Sequence, residues 1–489
     1  MTNLIQFALG FVTLGMVPRA LGPEAYGNLG FLTTFFTRTT KFLSLGVPAA
    51  YYIKLSKRQD EKKLIGFFIY FSILMILLIF TSTLGIITLG LQETIWPDQK
   101  GIFIFAAAMF AVLKYTFQFF RQTNDAFGYT FRYEIAIILQ NIFATGLVVL
   151  LYFTNTLTLK SFFLMQYFLL FFVIISGWRI LRNHKIFLSK QLILIKKEIA
   201  GFIKEFYHFS HPLFITGLVA FFVVIADRWL IQNYYGSAEQ GYYTIAIKIS
   251  SIVFLFTSAI SSILTREMSL SYKDNNKKKL RSLFRKHIPL FYFIATYFAV
   301  FISLHAETVI SITGGGEYKN ASMVIMVMAF YPAHQTYGQL GGAVLLATDQ
   351  TKVLRNIRVC TSLIGLIISF LLIIPVSLNG FGMGALGLVI KMVLMQFISV
   401  NISLLVITRF LKLSFKKFFG HQLIVIIILL ILANISLFIA SLISNQVIVN
   451  FFVSGFIYSI FVFMLILVYP NIIFKTKLEL SLFRKQYFS

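Results

Sequence analysis

Apolar residues run along this chain in long blocks broken by short polar turns, without the two-residue alternation of a half-buried strand. Fourteen blocks are long enough to cross a hydrocarbon core of about 30 Å, beginning with 1–18, 26–53 and 64–90 and ending with 421–443 and 448–470. Lipid cannot satisfy open sheet edges, and the blocks are far longer than barrel strands, so each reads as a helix. The pattern predicts an all-α polytopic membrane protein of about 14 transmembrane helices with both chain ends cytoplasmic. The start, MTNLIQFALGFVTLGMV, lacks the basic region and small-residue cleavage site of a signal peptide and reads as a retained first span.

The blocks repeat. LGPEAYGNLGFLTTFF at 21–36 is echoed by YGSAEQGYYTIAIKIS at 235–250, and RQTNDAFGYTFR at 121–132 by LATDQTKVLRNI at 346–357. That spacing predicts two pseudo-repeated six-helix lobes, 1–185 and 209–415, followed by two trailing spans and a tail over 416–489. The linker at 186–208 mixes apolar and basic residues at helical spacing. It reads as a helix lying along the membrane surface, with an ordinary charged linker as the alternative.

Composition removes the soluble classes. Hydrophobic residues make up 58% and charged residues 12%, about half the charge of an average soluble domain, and the deficit extends over the whole length. A net charge of +26 would suggest nucleic acid in a soluble protein. Here 34 of the 43 Lys and Arg residues, Lys114 and Arg358 among them, are counted to alternate loops, which the positive-inside rule assigns to the cytoplasm. A single cysteine excludes an internal disulfide and a cysteine-based metal cluster. No metal-spaced histidines and no phosphate-cradling glycine loop point to catalysis, so no cofactor is expected.

Five cations remain inside the apolar blocks: Arg38, Lys41, Arg228, Lys248 and Lys391. A mid-bilayer Arg or Lys costs about 2.5 to 3.5 kcal/mol on insertion scales, so such side chains turn to a protein interior or a wet cavity. Arg38 and Lys41 fall near the middle of the block at 26–53, one turn apart on one helical face. Against these stands one clear deep acid, Asp227, a candidate for ion coupling or for anchoring a helix end. The excess of positive charge predicts a cavity that attracts an anion, with Arg offering paired hydrogen bonds to phosphate and Lys a point charge.

Several of these residues also carry a resemblance. Arg19-x-Leu21-Gly22-Pro23-Glu24-x-Tyr26-Gly27, Leu45-Gly46-Val47-Pro48, Asp227-Arg228 and Gly241-Tyr242-Tyr243 resemble the O-antigen, or Wzx-type, polysaccharide flippases. That family belongs to the multidrug, oligosaccharidyl-lipid and polysaccharide exporter superfamily. The resemblance implies a bacterial inner-membrane protein that moves an undecaprenyl-diphosphate-linked repeat unit from the cytoplasmic to the periplasmic leaflet by alternating access through a cationic central cavity. It implies a polysaccharide polymerase and a chain-length regulator as partners. Coupling to the membrane potential, or to a proton or sodium gradient, is open. So are two other readings: a multidrug or cation antiporter, which needs acids facing the cavity, and a membrane polymerase or ligase, which needs a sizeable outer loop.

Overall fold

The computed structural model describes residues 2–186 and 194–473, and every regular element among them is helical. The first part of the chain forms α1 (Thr2–Leu43), α2 (Val47–Lys57), α3 (Lys63–Thr88), α4 (Gln92–Ile95), α5 (Gly101–Ala126), α6 (Thr130–Phe153), α7 (Leu159–Asn183) and α8 (Lys196–Ser251). The second part forms α9 (Phe254–Lys273), α10 (Lys277–Leu304), α11 (Ala306–Thr313), α12 (Ser322–Met328), α13 (Phe330–Ala347), α14 (Thr351–Ile373), α15 (Gly384–Phe410), α16 (Phe415–Ile443) and α17 (Val447–Val468). Two compact units result, Met1–Gly241 and Tyr242–Ser489, with the boundary inside α8.

Nine helices among the described residues are long and apolar enough to cross a membrane: α3, α5, α6, α7, α10, α14, α15, α16 and α17. The other expected segments lie in helices that are kinked or interrupted. Thus 1–18 and the start of 26–53 share α1, 209–231 and the start of 241–264 share α8, and 321–347 is divided between α12 and α13.

The apolar distribution is that of a protein solvated by lipid. Helices α6 and α17 leave Phe143, Leu150, Phe153, Phe452, Phe456 and Val468 exposed. Hydrocarbon accepts these surfaces, and helices suit it because each closes its own backbone hydrogen bonds. Within the first unit, aromatic residues fill the core: Tyr51 stacks on Phe68, Phe68 on Phe119, and Gly177 lets α7 approach the Tyr133 ring and the Cβ of Phe120. In the second unit α10, α13, α15 and α16 enclose a core that includes Phe284, Tyr292, Tyr337, Leu404 and Val425.

The repeat seen in the sequence is also present in the backbone. Gly22 interrupts α1 at φ 71°, ψ 170°, and Gly236 interrupts α8 at φ 75°, ψ −168°. Both lie in a region that only glycine adopts without strain. Five residues beyond each kink comes a second glycine, Gly27 or Gly241, and these two helix starts pack on one another reciprocally. A Cβ at Gly27 would fall 1.7 Å from the Ser237 carbonyl oxygen, and one at Gly241 would fall 2.1 Å from that of Pro23. Backbones approach this closely only where side chains are missing.

The other echo falls at the turns that end α5 and α13. After α5, Phe127, Gly128 and Tyr129 donate their amides to Thr123, Asp125 and Asn124. After α13, Thr348, Asp349 and Gln350 donate in the same pattern to Val344, Leu346 and Leu345. The same turn, with a left-handed residue at its second position, also ends α3, α6, α9 and α15, so it does not by itself pair Gly128 with a residue of the second half.

Of the expected membrane-surface helix, residues 187–193 lie outside the described residues. From Lys196 onward it is no separate element but the first turns of α8. Phe202 and Phe206 are buried against Phe67. Glu205 pairs with Lys54 at 2.5 Å and with Arg58, and Glu198 pairs with Lys63. Ile195, Ile203 and Tyr207 stay exposed, while Phe202, Phe206 and the two glutamates dock the segment on α2 and α3.

Candidate functional site

In the first unit the candidate site is built where α1 ends. The block at 26–53 is not one helix: α1 stops at Leu43, Leu45 and Gly46 turn through left-handed conformations, and α2 starts at Val47 with Pro48 in its first turn. Arg38 and Lys41 therefore lie in the last turns of a helix rather than in the middle of a span. A helix C-terminus carries partial negative charge, which favours a cation such as Lys41. Both side chains are exposed, and among the described residues neither has an ion-pair partner. Thr37 and Thr40 turn their hydroxyls back to the carbonyls of Thr33 and Phe36 and so close the polar side of the helix. Interrupted helices in membranes occur where irregular backbone lines a polar site.

Arg228 is arranged differently. It is buried, and its Nη1 donates to Gln240 Oε1 at 2.8 Å while Gln240 donates back to the Arg228 carbonyl. Its charge also acts on the buried phenol of Tyr26. Asp227 beside it is buried as well. Neighbours of the motif residues in sequence form a polar cluster. Asn28 Oδ1 accepts from Gln99 and Ser237, Gln232 donates to Ser237 and to the Pro97 carbonyl, and Trp229 donates to the Thr94 carbonyl. Pro23 starts the second half of α1, Arg19 and Glu24 are exposed, and Tyr26 and Gly27 are buried. The motif thus serves a helix junction, with Gly22 and Gly27 supplying the turn and the close approach.

In the second unit Lys391 is buried two turns into α15, with its Cε 3.0 Å from where a Cβ on Gly365 would lie. Lys248 is exposed in the last turn of α8.

Two cations assigned to loops by the charge pattern belong to the helices. Lys114 is at the centre of α5, its Nζ 5.1 Å from the Phe110 ring centroid, and Arg358 is two turns inside α14. Counting turns inward from the helix-ending residues, Phe127–Tyr129 and Thr348–Gln350, would have found both. Arg358 borders a cavity of about 370 Å³ whose other walls include Ser261 and Thr265 of α9 and Gln339 and Gly342 of α13. Gln339 Oε1 is buried without a partner among the described residues. Hydroxyls, an amide and one guanidinium around a small-residue gap offer hydrogen-bond donors and acceptors to a polar ligand.

Among the described residues no group of three His, Cys, Asp or Glu side chains could hold a metal.

Comparison with known proteins agrees with this architecture. Residues 16–323 match the family described as polysaccharide biosynthesis protein. The capsular polysaccharide biosynthesis protein CapF of Staphylococcus aureus is 25% identical over 247 residues, 50% of this chain and 61% of CapF. The probable low-salt glycan biosynthesis flippase Agl15 of Haloferax volcanii is 21% identical over 195 residues, 40% of this chain and 41% of Agl15. The matched region therefore spans less than two thirds of either relative. Among solved structures, the inward closed conformation of the lipid II flippase MurJ superposes with a TM-score of 0.67 at 15% identity, over 96% of this chain and 98% of MurJ. The chain is a multi-pass membrane protein with the fold of MurJ, and it belongs to the polysaccharide biosynthesis protein family.

Proposed function

We propose that this protein is a flippase for a lipid-linked oligosaccharide. In its specific form, the reading is that an undecaprenyl-diphosphate-linked repeat unit of a surface polysaccharide moves from the cytoplasmic to the periplasmic leaflet of a bacterial inner membrane, by alternating access through a cationic cavity. The observation that carries the reading is the pair Arg38 and Lys41, exposed and without an ion-pair partner among the described residues, at an interruption between two helices of a membrane protein. Cations in that setting are stable beside water and an anion, and a diphosphate supplies the charge. Lys114 and Arg358 add to the positive inventory, while Asp227 is the single buried acid among the described residues. The cavity at Ser261, Thr265 and Gln339 suits sugar hydroxyls, which need donors and acceptors more than charge. Family membership and the names of the matched relatives support a glycan as cargo.

The driving force follows from the charge. A diphosphate of about two negative charges moving outward across an inside-negative membrane gains about 2.3 kcal/mol per charge per 100 mV. Voltage alone favours export, so a proton or sodium gradient would serve to reset the carrier.

The test replaces Arg38 and Lys41 by Ala, singly and together, and follows surface polysaccharide at matched protein abundance. Each single variant is expected to lower export and the double variant to abolish it. Undiminished export by the double variant would remove both residues from the mechanism.

A further inference from the structure

A second cationic cavity lies in the second unit, at the turn joining α15 to α16. Its volume is about 360 Å³, and it is lined by Arg285 and Pro289 of α10, Lys412 in the turn, and Lys417, Phe418 and His421 in the first two turns of α16. No carboxylate lines it among the described residues, and none there pairs with Arg285, Lys412 or Lys417.

The surroundings increase this positive charge rather than offset it. Helix α16 starts from Ser414, whose side chain makes no capping hydrogen bond, and its first turn holds no acid. Its partly positive end therefore adds to Lys416 and Lys417 at a place where helices favour anions. By contrast, Asn276 caps the equally basic start of α10 by accepting from the Lys279 amide. Lys412 itself stands at φ 52°, a left-handed position usually given to Gly or Asn. The turn is fixed by Leu413 N donating to Thr408 O at 2.8 Å and Lys412 N to Arg409 O at 3.2 Å. A charged residue thus occupies a backbone position that disfavours it, and its side chain borders the cavity. His421 bonds the Ile472 carbonyl through Nε2 at 2.9 Å, and its Nδ1 is buried with no partner among the described residues.

Beyond the cavity, α16 turns an apolar stripe outward: Ile424, Ile427, Ile431, Ile435 and Phe438 are all exposed. Their spacing is that of one helix face, running along the helix from its charged end. A ligand that satisfies both parts has a phosphate at one end and hydrocarbon at the other. We propose that this cavity binds the phosphate of a membrane lipid at the basic face of the protein, with the lipid's chain lying along the α16 stripe. The inference stands apart from the transport reading, because none of these residues belongs to the Arg38 and Lys41 site.

The test uses the full purified chain in nanodiscs of phosphatidylcholine doped with either phosphatidylglycerol or undecaprenyl diphosphate, with retained lipid read by native mass spectrometry. The variant Arg285→Gln/Lys412→Gln/Lys417→Gln is compared with Lys277→Gln/Lys278→Gln/Lys352→Gln, which removes the same charge outside the cavity. Wild type and the control should retain at least one of the two lipids, and the cavity variant about tenfold less or lower still. The lipid retained more strongly identifies the source of the phosphate. Lys412→Gly gives an independent reading: it relieves the left-handed backbone while deleting a charge, so unfolding resistance should rise as lipid retention falls. Equal loss in the cavity and control variants would reduce the effect to diffuse surface charge and overturn the proposal. Unchanged retention in the cavity variant would also overturn it, as would inorganic phosphate competing as strongly as either lipid.

Discussion

Gly27→Ala is the sharpest single perturbation available in this fold. The new methyl carbon would lie 1.7 Å from the Ser237 carbonyl oxygen and 2.8 Å from the Gly241 nitrogen, whereas ordinary contact begins at 3.4 Å. Both obstacles are backbone, so no rotamer change relieves the clash and the two helix starts must separate. Separation breaks the hydrogen bond from Ser237 to Asn28, worth about 1 kcal/mol, and adds overpacking strain of about 1 to 3 kcal/mol. A loss of about 3 kcal/mol is expected. Gly85 and Gly146 provide the control, since a Cβ at either meets nothing within 4 Å. There, Ala replaces Gly inside a helix and should stabilise by up to about 1 kcal/mol, the opposite sign. The assay is denaturant unfolding of the purified chain in detergent, with Gly241→Ala as the reciprocal variant. Each of Gly27→Ala and Gly241→Ala should unfold at lower denaturant, and the double variant should lose less than the sum because both relieve the same contact. If Gly27→Ala unfolds with Gly85→Ala, the reciprocal packing is not what holds this junction.

Three further outcomes follow from other parts of the molecule. Burial would raise the Glu205 carboxyl, but hydrogen bonds from Lys54 and Arg58 outweigh it and hold the group below the usual carboxylate range, while the Lys63 hydrogen bond and the Ile195 amide do the same for Glu198. Their contribution is fully present above the unfolded glutamate value of about 4.3 and is lost as pH falls through the lower folded values. Hydrogen exchange over residues 196–207 should therefore stay slow at neutral pH and quicken in that acid window, and Glu205→Gln should weaken the dependence. Gln240→Leu leaves the buried Arg228 Nη1 without its 2.8 Å acceptor and should cost about 1.5 to 3 kcal/mol in the same unfolding assay. Gly342→Ala, whose Cβ would stand 3.8 Å from Arg358 Nη2, should leave polysaccharide export unchanged, whereas Gly342→Leu should fill the cavity and reduce export at equal abundance.

The helical class and the repeat of 21–36 at 235–250 were legible because they rest on local patterns: apolar run length, and a glycine-rich stretch that opens an apolar block. The end of α1 was not legible. Gly46 and Pro48 are both breakers, but hydropathy stays high through Ile53, and a length argument alone joins the two helices. Lys114 and Arg358 were misplaced because the positive-inside rule sorts cations by sign and neighbourhood and does not register how far α5 and α14 extend. The cavity at Gln339 had no signal at all, since its walls come from α9, α13 and α14 and are mostly neutral.

The intramembrane cations make the same point in energetic terms. Sequence assigns Arg38, Lys41 and Arg228 one insertion cost each and so treats them alike. Structure separates them by how that cost is met. Arg228 exchanges hydrogen bonds with Gln240 inside a packed helix junction, so its charge is compensated within the protein. Arg38 and Lys41 have no such compensation among the described residues and depend on water or on whatever anion arrives. Neutralising the first kind should therefore appear as lost stability with transport following abundance, and neutralising the second as lost transport at full abundance. A variant of Arg38 that unfolds as readily as one of Gln240 would show that the two kinds had been divided wrongly.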